Sequence, residues 1–294
     1  EYTIDGERKG TKEQLEGRFS FINQLDKYNN KLEPGRHQFE YLKGREKTFS
    51  QFLFYKFFFD NEKPLIVTEG KTDVIYLKAA LKKMWKDYPE LVSKNGQGQF
   101  EYKVAFLKRS KRIEYFLNIK EDGADTLNNI MEFYRDKGNP KYPKYMKMFK
   151  EMSMRKPTNA VMLVFDNELS VKESPVFKFL GKWSLKDQME KLQENRLLHI
   201  QDNMYMVVTP LVSDYEYTDI EMLFDKEIQD MEINGRKLDK TGKKDKEKYF
   251  NKDIFSHYIM KNYEKISFDN FRPMLDDIRR IVELYRKEAK DDTK

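Results

Sequence analysis

Hydrophobic residues follow two patterns along the chain, short continuous runs and longer stretches that repeat every three or four positions. The runs at 65–68, 159–165 and 204–208 are short and contain many β-branched residues, which is typical of buried strands. The stretches at 74–88 and 250–263 have helical spacing. Strands that alternate with helices in this way predict an α/β fold with a mostly parallel sheet flanked by helices.

Weaker patterns extend this prediction over the rest of the chain. Further strands are predicted at 102–107 and 197–200, with a hairpin around Asn234-Gly235 within 227–238. Further helices are predicted at 15–25, 38–60, 125–134, 145–152, 186–195, 219–224 and 268–286.

The most informative junction is Pro64 to Asp73, where an apolar run stops at Glu69-Gly70 and a helical pattern begins. We expect Gly70 to form the turn because glycine adopts a positive φ without strain. Glu69 is then placed at the carboxyl end of a strand, where open α/β sheets bind ligands. Asp73 falls in the first helical turn, where the helix dipole favours a carboxylate.

A second strand also ends in acids, because Asp166 and Glu168 directly follow the run at 159–165. Adjacent strand ends lie about 5 Å apart, so these two acids are expected to approach Glu69 and Asp73. Four carboxylates repel one another unless a divalent cation neutralises them, and oxygen ligands suit one or two Mg²⁺ or Mn²⁺ ions. The alternative is that each acid only caps a helix or ends a strand.

Composition restricts the class of protein. Hydrophobic residues make up 39% of the chain and aromatic residues 14%, enough to form a core. The net charge of +6 fits a nucleic-acid partner, although a generally lysine-rich protein has the same charge. The chain has no cysteine, so cysteine-ligated zinc and thiol catalysis are excluded. No apolar run approaches the length of about 20 residues that a membrane helix needs, so no membrane partner is expected.

Basic residues near the two junctions are candidates for contacts with phosphate. Gly70 and Lys71 open the helix that follows the first strand, where a phosphate group can approach the backbone. Four basic residues follow the predicted strand at 102–107, and they form either a solvated surface or a nucleic-acid contact: Lys108, Arg109, Lys111 and Arg112.

The motifs E-G-K-T-D, from Glu69, and V-F-D-N-E, ending at Glu168, resemble the two signatures of the Toprim fold. That Rossmann-like fold is shared by topoisomerases, primases and OLD-family nucleases. The family usually has D-x-D at the second signature, so Glu168 carries its carboxylate one methylene further than expected. Asp73, an acid four residues after Glu69, resembles the pattern of the OLD-like nuclease branch.

Two later motifs resemble the same nucleases. Glu221 lies in D-I-E-M-L-F, similar to their I-E-D-L-F segment, with Met222 where an acid is common. Lys252 lies in N-K-D-I-F, similar to a G-K-x-x-F helix start whose lysine contacts the scissile phosphate. The resemblance implies catalytic roles for Glu69, Asp166 and Lys252. It implies metal ligation by Glu69, Asp73, Asp166, Glu168 and Glu221.

The segments L-E-G-R-F-S-F-I at 15–22 and R-E-K-T-F-S-Q-F-L at 45–53 resemble the region that joins polymerase and Toprim domains in certain retron reverse transcriptases. In that family the C-terminal Toprim nuclease acts as an antiphage toxin. The sequence has no Y-x-D-D polymerase motif, so we interpret it as the C-terminal part of such a protein. Three regions are then expected: a helical connector to an absent polymerase domain at 1–63, a Toprim core at 64–225, and a hairpin, basic loop and C-terminal helices at 226–294.

The leading hypothesis is a Mg²⁺- or Mn²⁺-dependent endonuclease that cleaves DNA or RNA in the bacterial cytoplasm. Its expected partners are nucleic acid and a reverse transcriptase domain with its RNA and DNA. The alternative is a catalytically weak Toprim module that binds nucleic acid or a protein partner, which the departures at Glu168 and Met222 favour. A topoisomerase or primase fits less well because those enzymes need further modules. The sequence leaves the oligomeric state open, a homo-oligomer included.

Overall fold

The computed structural model of the protein describes residues 38–120, 125–213, 215–239, 245 and 247–291. The segment at 15–22, the predicted helix at 15–25 and much of the basic loop lie outside the described residues.

A five-stranded sheet forms the centre of the described structure. The strands in chain order are β1 (Leu65–Thr68), β2 (Val92–Lys94), β3 (Phe100–Tyr102), β4 (Ala105–Phe106), β5 (Val161–Phe165), β6 (Leu197–Gln201), β7 (Met204–Val208), β8 (Lys237–Leu238) and β9 (Tyr249–Phe250). The central sheet has the order β4-β1-β5-β7-β6, and β6 is its antiparallel strand. Two small ribbons pair β2 with β3 and β8 with β9.

Eleven α-helices lie within the described residues. They are α1 (Gln38–Tyr41), α2 (Arg45–Phe54), α3 (Lys71–Lys83), α4 (Lys111–Leu117), α5 (Asp125–Glu132), α6 (Tyr145–Ser153), α7 (Pro175–Lys182), α8 (Met189–Asn195), α9 (Lys226–Gln229), α10 (Lys252–Asn262) and α11 (Arg272–Asp291). A π-helical turn, Tyr55–Phe59, continues α2. Short 3₁₀ turns occur at Lys186–Gln188, Ile220–Leu223, Tyr263–Lys265 and Asp269–Phe271.

Both faces of the sheet are covered, which explains why its central strands are apolar throughout. All residues of β1, β5 and β7 are buried. Leu65 and Val67 pack with α2 and α4 to α8 on one face, whereas Ile66 packs with α3, α10 and α11 on the other. The alternation follows from the two-residue period of a strand. The predicted α/β fold, a mostly parallel sheet flanked by helices in a Rossmann-like arrangement, is therefore confirmed.

Several predicted element boundaries were wrong. The strand predicted at 102–107 is divided, because Lys103 N–H donates to the Leu91 carbonyl and turns the chain between β3 and β4. The hairpin predicted at 227–238 is a single two-residue turn closed by an Ile233–Arg236 bridge, while β8 pairs in parallel with β9. The helix predicted at 38–60 is broken at Gly44, which has a φ of +41°.

Three short helices, α4, α7 and α9, were not predicted. The start of α7 carries a recognisable signal, because the Ser174 hydroxyl accepts the Phe177 N–H and Pro175 occupies the first turn. Within the described residues, no helix has the length and apolar character needed to cross a membrane.

Candidate active site

The carboxyl ends of four parallel strands lie at one edge of the sheet. Each strand leads to a charged residue, either directly or after intervening residues. Arg109 follows β4, Glu69 follows β1 and Asp166 follows β5, while β7 leads through a loop to Asp219. Because β1 pairs directly with β5, Glu69 and Asp166 follow neighbouring strand ends. This is the edge at which open α/β sheets bind ligands.

Main-chain N–H groups orient two of the acids. Glu69 Oε1 accepts the Asp166 N–H at 3.1 Å, and Asp166 Oδ1 accepts the Ile220 N–H at 2.9 Å. Each bond fixes one carboxylate oxygen; the first joins the ends of β1 and β5, and the second joins the end of β5 to the 3₁₀ turn Ile220–Leu223. The predicted convergence of Glu69 and Asp166 is therefore a direct hydrogen-bonded contact.

Gly70 is required for a different reason from the one predicted. It has extended backbone angles, φ −113° and ψ 160°, so the expected positive φ was wrong. Its N–H donates to Asp73 Oδ2 at 2.8 Å, and a Cβ at this position would lie 3.1 Å from Asp73 Oδ1. Glycine therefore leaves room for the Asp73 carboxylate to fold back over the start of α3.

The substitution Gly70→Ala is expected to displace the Asp73 carboxylate by a few tenths of an ångström without unfolding the protein. Alanine adopts the observed φ and ψ without strain, so the free energy of unfolding should change by less than about 1 kcal/mol. Activity that depends on Asp73 should fall about tenfold or more. Gly96→Ala is the matched control because an added Cβ there meets nothing within 4 Å. Equal activity of both variants would contradict this role.

Two further acids complete a group that we call the carboxylate cluster: Glu69, Asp73, Asp166, Glu168, Asp219 and Glu221. The 3₁₀ turn Ile220–Leu223 contributes Glu221, and Asp219 directly precedes that turn. Asp219 was missed as a site residue, although it lies two positions before Glu221. Its charge raises the pKa of Glu69, Asp166 and Glu168. The sequence signal was the spacing D-x-E, which mirrors Asp166 and Glu168.

Lys252 supplies a positive charge to the carboxylate cluster. It opens α10, where the Asn251 side chain accepts the Ile254 N–H as the helix cap. Its Nζ donates to Glu221 Oε2 at 3.0 Å, and the Glu221 side chain is only 4% exposed. Burial lowers the pKa of Lys252, but the carboxylates of Glu221, Asp166 and Asp219 outweigh burial and raise it overall.

Burial and mutual repulsion make the carboxylates unusually easy to protonate. Burial raises the pKa of Glu69 to about 7, helped by Asp73, Glu168 and Asp219. Burial and Glu221 raise the pKa of Asp73 to about 6. Burial, followed by the charges of Asp73 and Glu69, also raises the pKa of Asp166 well above its usual value. Raised pKa values on neighbouring buried carboxyls mean that too little positive charge lies nearby to compensate all of them when they are ionised.

An aromatic layer beneath the cluster accounts for part of this desolvation. The ring of Tyr76, on α3, lies 5.3 Å from the ring of Phe224 and 5.9 Å from that of Phe255. All three rings are fully buried. Burial together with Glu221 and Asp73 raises the pKa of Tyr76. The acids therefore rest on an apolar layer that stabilises charge poorly.

The remaining predicted residues occupy different positions. Arg109 Nη1 donates to the Glu69 carbonyl at 2.8 Å. Its positive charge offsets a small part of the rise in the pKa of Asp73 that burial and Glu221 cause. Lys71 forms an ion pair with Asp253 at 3.2 Å, which joins α3 to α10. Glu168 is half-buried, and burial and Asp219 raise its pKa. The other three basic candidates are exposed: Lys108, Lys111 and Arg112.

The donor set fits a hard divalent cation in chemistry and charge. Glu221 Oε1 is buried and accepts no hydrogen bond from the described residues. In the described part of the chain, no three acidic or histidine side chains are arranged as a ready metal shell. Mg²⁺ commonly takes one or two carboxylates and completes its shell with water and substrate phosphate. The arrangement therefore suits Mg²⁺ or Mn²⁺ better than a metal that needs a closed protein cage.

Comparisons with known proteins add no assignment. No family model matches the sequence, and no solved structure gives a significant match to the chain.

Proposed function

We propose that the protein is a Mg²⁺- or Mn²⁺-dependent nuclease of the Toprim type that hydrolyses phosphodiester bonds in nucleic acid. The observation that carries this proposal is the contact between Glu69 and Asp166 at adjacent strand ends. Around this contact, burial and repulsion raise the pKa of Glu69, Asp73 and Asp166. A purely structural group of acids gains nothing from such repulsion, whereas a cation site uses it.

The residues divide into two roles in this proposal. One or two of Asp73, Asp166 and Glu221 would bind the cation directly, beside water and substrate phosphate, with Glu168 at the side of the cluster. A Mg²⁺ ion bound there would supply charge stabilisation at the phosphate and would lower the pKa of a water molecule. Glu69 keeps one oxygen on the Asp166 N–H, and in the metal-free protein burial raises its pKa to about 7, a value that suits proton transfer at neutral pH. Lys252 lies beside Glu221 and offers its ammonium group to a phosphate oxygen.

Cleavage of DNA and RNA panels with Mg²⁺, Mn²⁺ or excess chelator tests this proposal. The wild type should cleave at least one substrate class only when the metal is present. Asp166→Asn should be inactive, because asparagine keeps the hydrogen bond to Ile220 N–H but removes the charge. Glu151→Gln is the matched control, since Glu151 lies outside the cluster and pairs with Lys147. Equal activity of wild type and Asp166→Asn would refute the assignment.

The second candidate is a Toprim-like module that binds nucleic acid or a protein partner with little catalysis. The absence of a ready three-residue metal shell among the described side chains favours it. Calorimetric titration with Mn²⁺ separates the two candidates. Specific binding that disappears in Asp166→Asn supports the nuclease, and no binding supports the module.

The cellular setting is proposed from the sequence resemblance to retron proteins. In this proposal the chain works in the bacterial cytoplasm beside a reverse transcriptase domain, as the effector of antiphage defence. Part of the segment that carries this resemblance packs against the sheet. Phe49 and Leu53, within 45–53, and Phe54, the next residue, belong to the same hydrophobic cluster as strand residues Leu65 and Val67. This segment is therefore continuous with the core that positions the site.

A further inference from the structure

A second surface outside the carboxylate cluster combines a cavity, lysines and aromatic rings. The cavity has a volume of about 130 Å³ and lies between the carboxyl end of α3, the β2-β3 ribbon and the turn Tyr263–Lys265. Trp85 contributes to its wall. Its other lining residues define what we call the lysine groove: Lys82, Lys83, Lys94, Phe100, Tyr263 and Glu264.

Aromatic rings hold the lysines of the groove in place. Lys82 Nζ lies 5.6 Å from the centre of the Phe100 ring and 5.5 Å from that of Tyr263. Lys94 Nζ lies 5.1 Å from the same Phe100 ring. Two ammonium groups therefore share one ring. Such contacts restrict flexible side chains before any ligand arrives, which reduces the ordering cost of binding.

The positive charge of the groove is not neutralised by ion pairs. Within the described residues, neither Lys82 nor Lys94 has a carboxylate within ion-pair distance. The carboxylate of Glu264 accepts the Tyr263 hydroxyl at 3.1 Å. Burial and the neighbouring charge of Lys82 lower the pKa of Lys78, one turn away along α3. The groove therefore presents three ammonium groups against the one carboxylate of Glu264.

A row of lysines connects the groove with the carboxylate cluster. Lys71, Lys78 and Lys82 are spaced seven and four residues apart, so they lie on one face of α3. With a rise of 1.5 Å per residue, Lys82 is about 16 Å from Lys71 along the helix axis. At the 3.4 Å per phosphate of one strand in a B-DNA duplex, this distance corresponds to about five nucleotides, and it spans fewer nucleotides of an extended single strand.

We infer that the lysine groove is a second nucleic-acid site, which binds the phosphodiester backbone of a strand whose other end lies in the carboxylate cluster. This inference deepens the proposed nuclease function. It rests on that function for placing the other end of the strand in the carboxylate cluster. Charge complementarity selects the ligand, because the backbone of a nucleic-acid strand carries one negative charge per nucleotide along the whole length of the row on α3.

The test measures binding without cleavage, by fluorescence anisotropy of a labelled single-stranded oligonucleotide in excess EDTA. Lys82→Gln combined with Lys94→Gln should weaken binding about tenfold at low salt. It should also reduce the slope of log affinity against log salt by about 1.4, since each single-strand phosphate contact contributes about 0.7. The control is Lys186→Gln with Lys191→Gln, near β6 at the opposite edge of the sheet. Lys186 there also lies over an aromatic ring, Phe177.

The outcomes separate this inference from the proposed function. Equal effects of the two double variants, or no effect of either, would overturn the groove as a nucleic-acid site. Displacement of the oligonucleotide by polyglutamate of equal charge and concentration would also overturn it. Weaker binding by the groove variant alone supports the site even if the wild type cleaves nothing. If the groove variant still cleaves nucleic acid and binds it as the wild type does, the proposed nuclease function stands and the groove is rejected as a nucleic-acid site.

Discussion

The variant Glu69→Gln is expected to cleave nucleic acid at least 100-fold more slowly than the wild type. At pH 8 its folded state is also expected to be more stable than that of the wild type. Loss of a proton-transferring group typically costs a factor of about 10² to 10⁴. Glutamine keeps an oxygen for the Asp166 N–H, so the strand ends stay joined. The gain in stability arises because the substitution removes a desolvated charge that Asp73, Glu168 and Asp219 repel.

The stability gain should depend on pH in a defined direction. The pKa of Glu69 is raised from 4.5 to about 7 on folding, so its ionisation destabilises the folded state. This rise corresponds to on the order of 3 kcal/mol above pH 7. Below about pH 4.5 the side chain is protonated in both states, and the difference should vanish. Urea denaturation of metal-free protein across this range measures it. A variant less stable than wild type at pH 8 would contradict the repulsion.

The second large effect is expected at Lys252. Lys252→Met should lower the free energy of unfolding by about 2 kcal/mol in metal-free protein at pH 8, because it leaves the buried Glu221 charge without its cation. The effect should stay below the 3–5 kcal/mol of fully buried pairs, since the lysine side chain is 41% exposed. Mn²⁺ should restore more stability to this variant than it adds to the wild type.

Two further variants make the Lys252 measurement specific. Lys71→Met breaks the exposed pair with Asp253 and should change stability by less than about 1 kcal/mol. Combining Lys252→Met with Glu221→Gln should recover most of the lost stability, because the unpaired charge is removed with its partner. A double variant as unstable as the single one would show that Lys252 acts through packing and not through Glu221.

Periodic apolar patterns predicted the central part of this fold well. The strands β5 and β7 are buried on both faces, so their sequences are apolar throughout, and runs of that short length favour strands over helices. Glu69 and Asp166 follow such strands directly. Their contact was therefore predictable from strand adjacency alone. Asp73 was predictable as a residue of the first helical turn.

Features that depend on packing across the chain were not predictable in this way. Asp219 belongs to a loop whose path is set by a bridge between Thr218 and Asn167, far apart in sequence. The space that Gly70 leaves for Asp73 is a matter of a few tenths of an ångström. The lysine groove joins α3, a two-stranded ribbon and a 3₁₀ turn. The spacing of apolar residues in one sequence reflects local structure and carries no information about such distant contacts.

The order of synthesis gives the Lys252 contact a kinetic consequence. The first acid of the cluster and this lysine are separated by roughly 180 residues, so at about 5–20 residues per second they leave the ribosome many seconds apart. Until α10 has been made and docked on α3, the nascent sheet carries its acids without their lysine. Closure of the site is thus a late, long-range folding step, and an unfinished chain would lack the ion pair between Lys252 and Glu221.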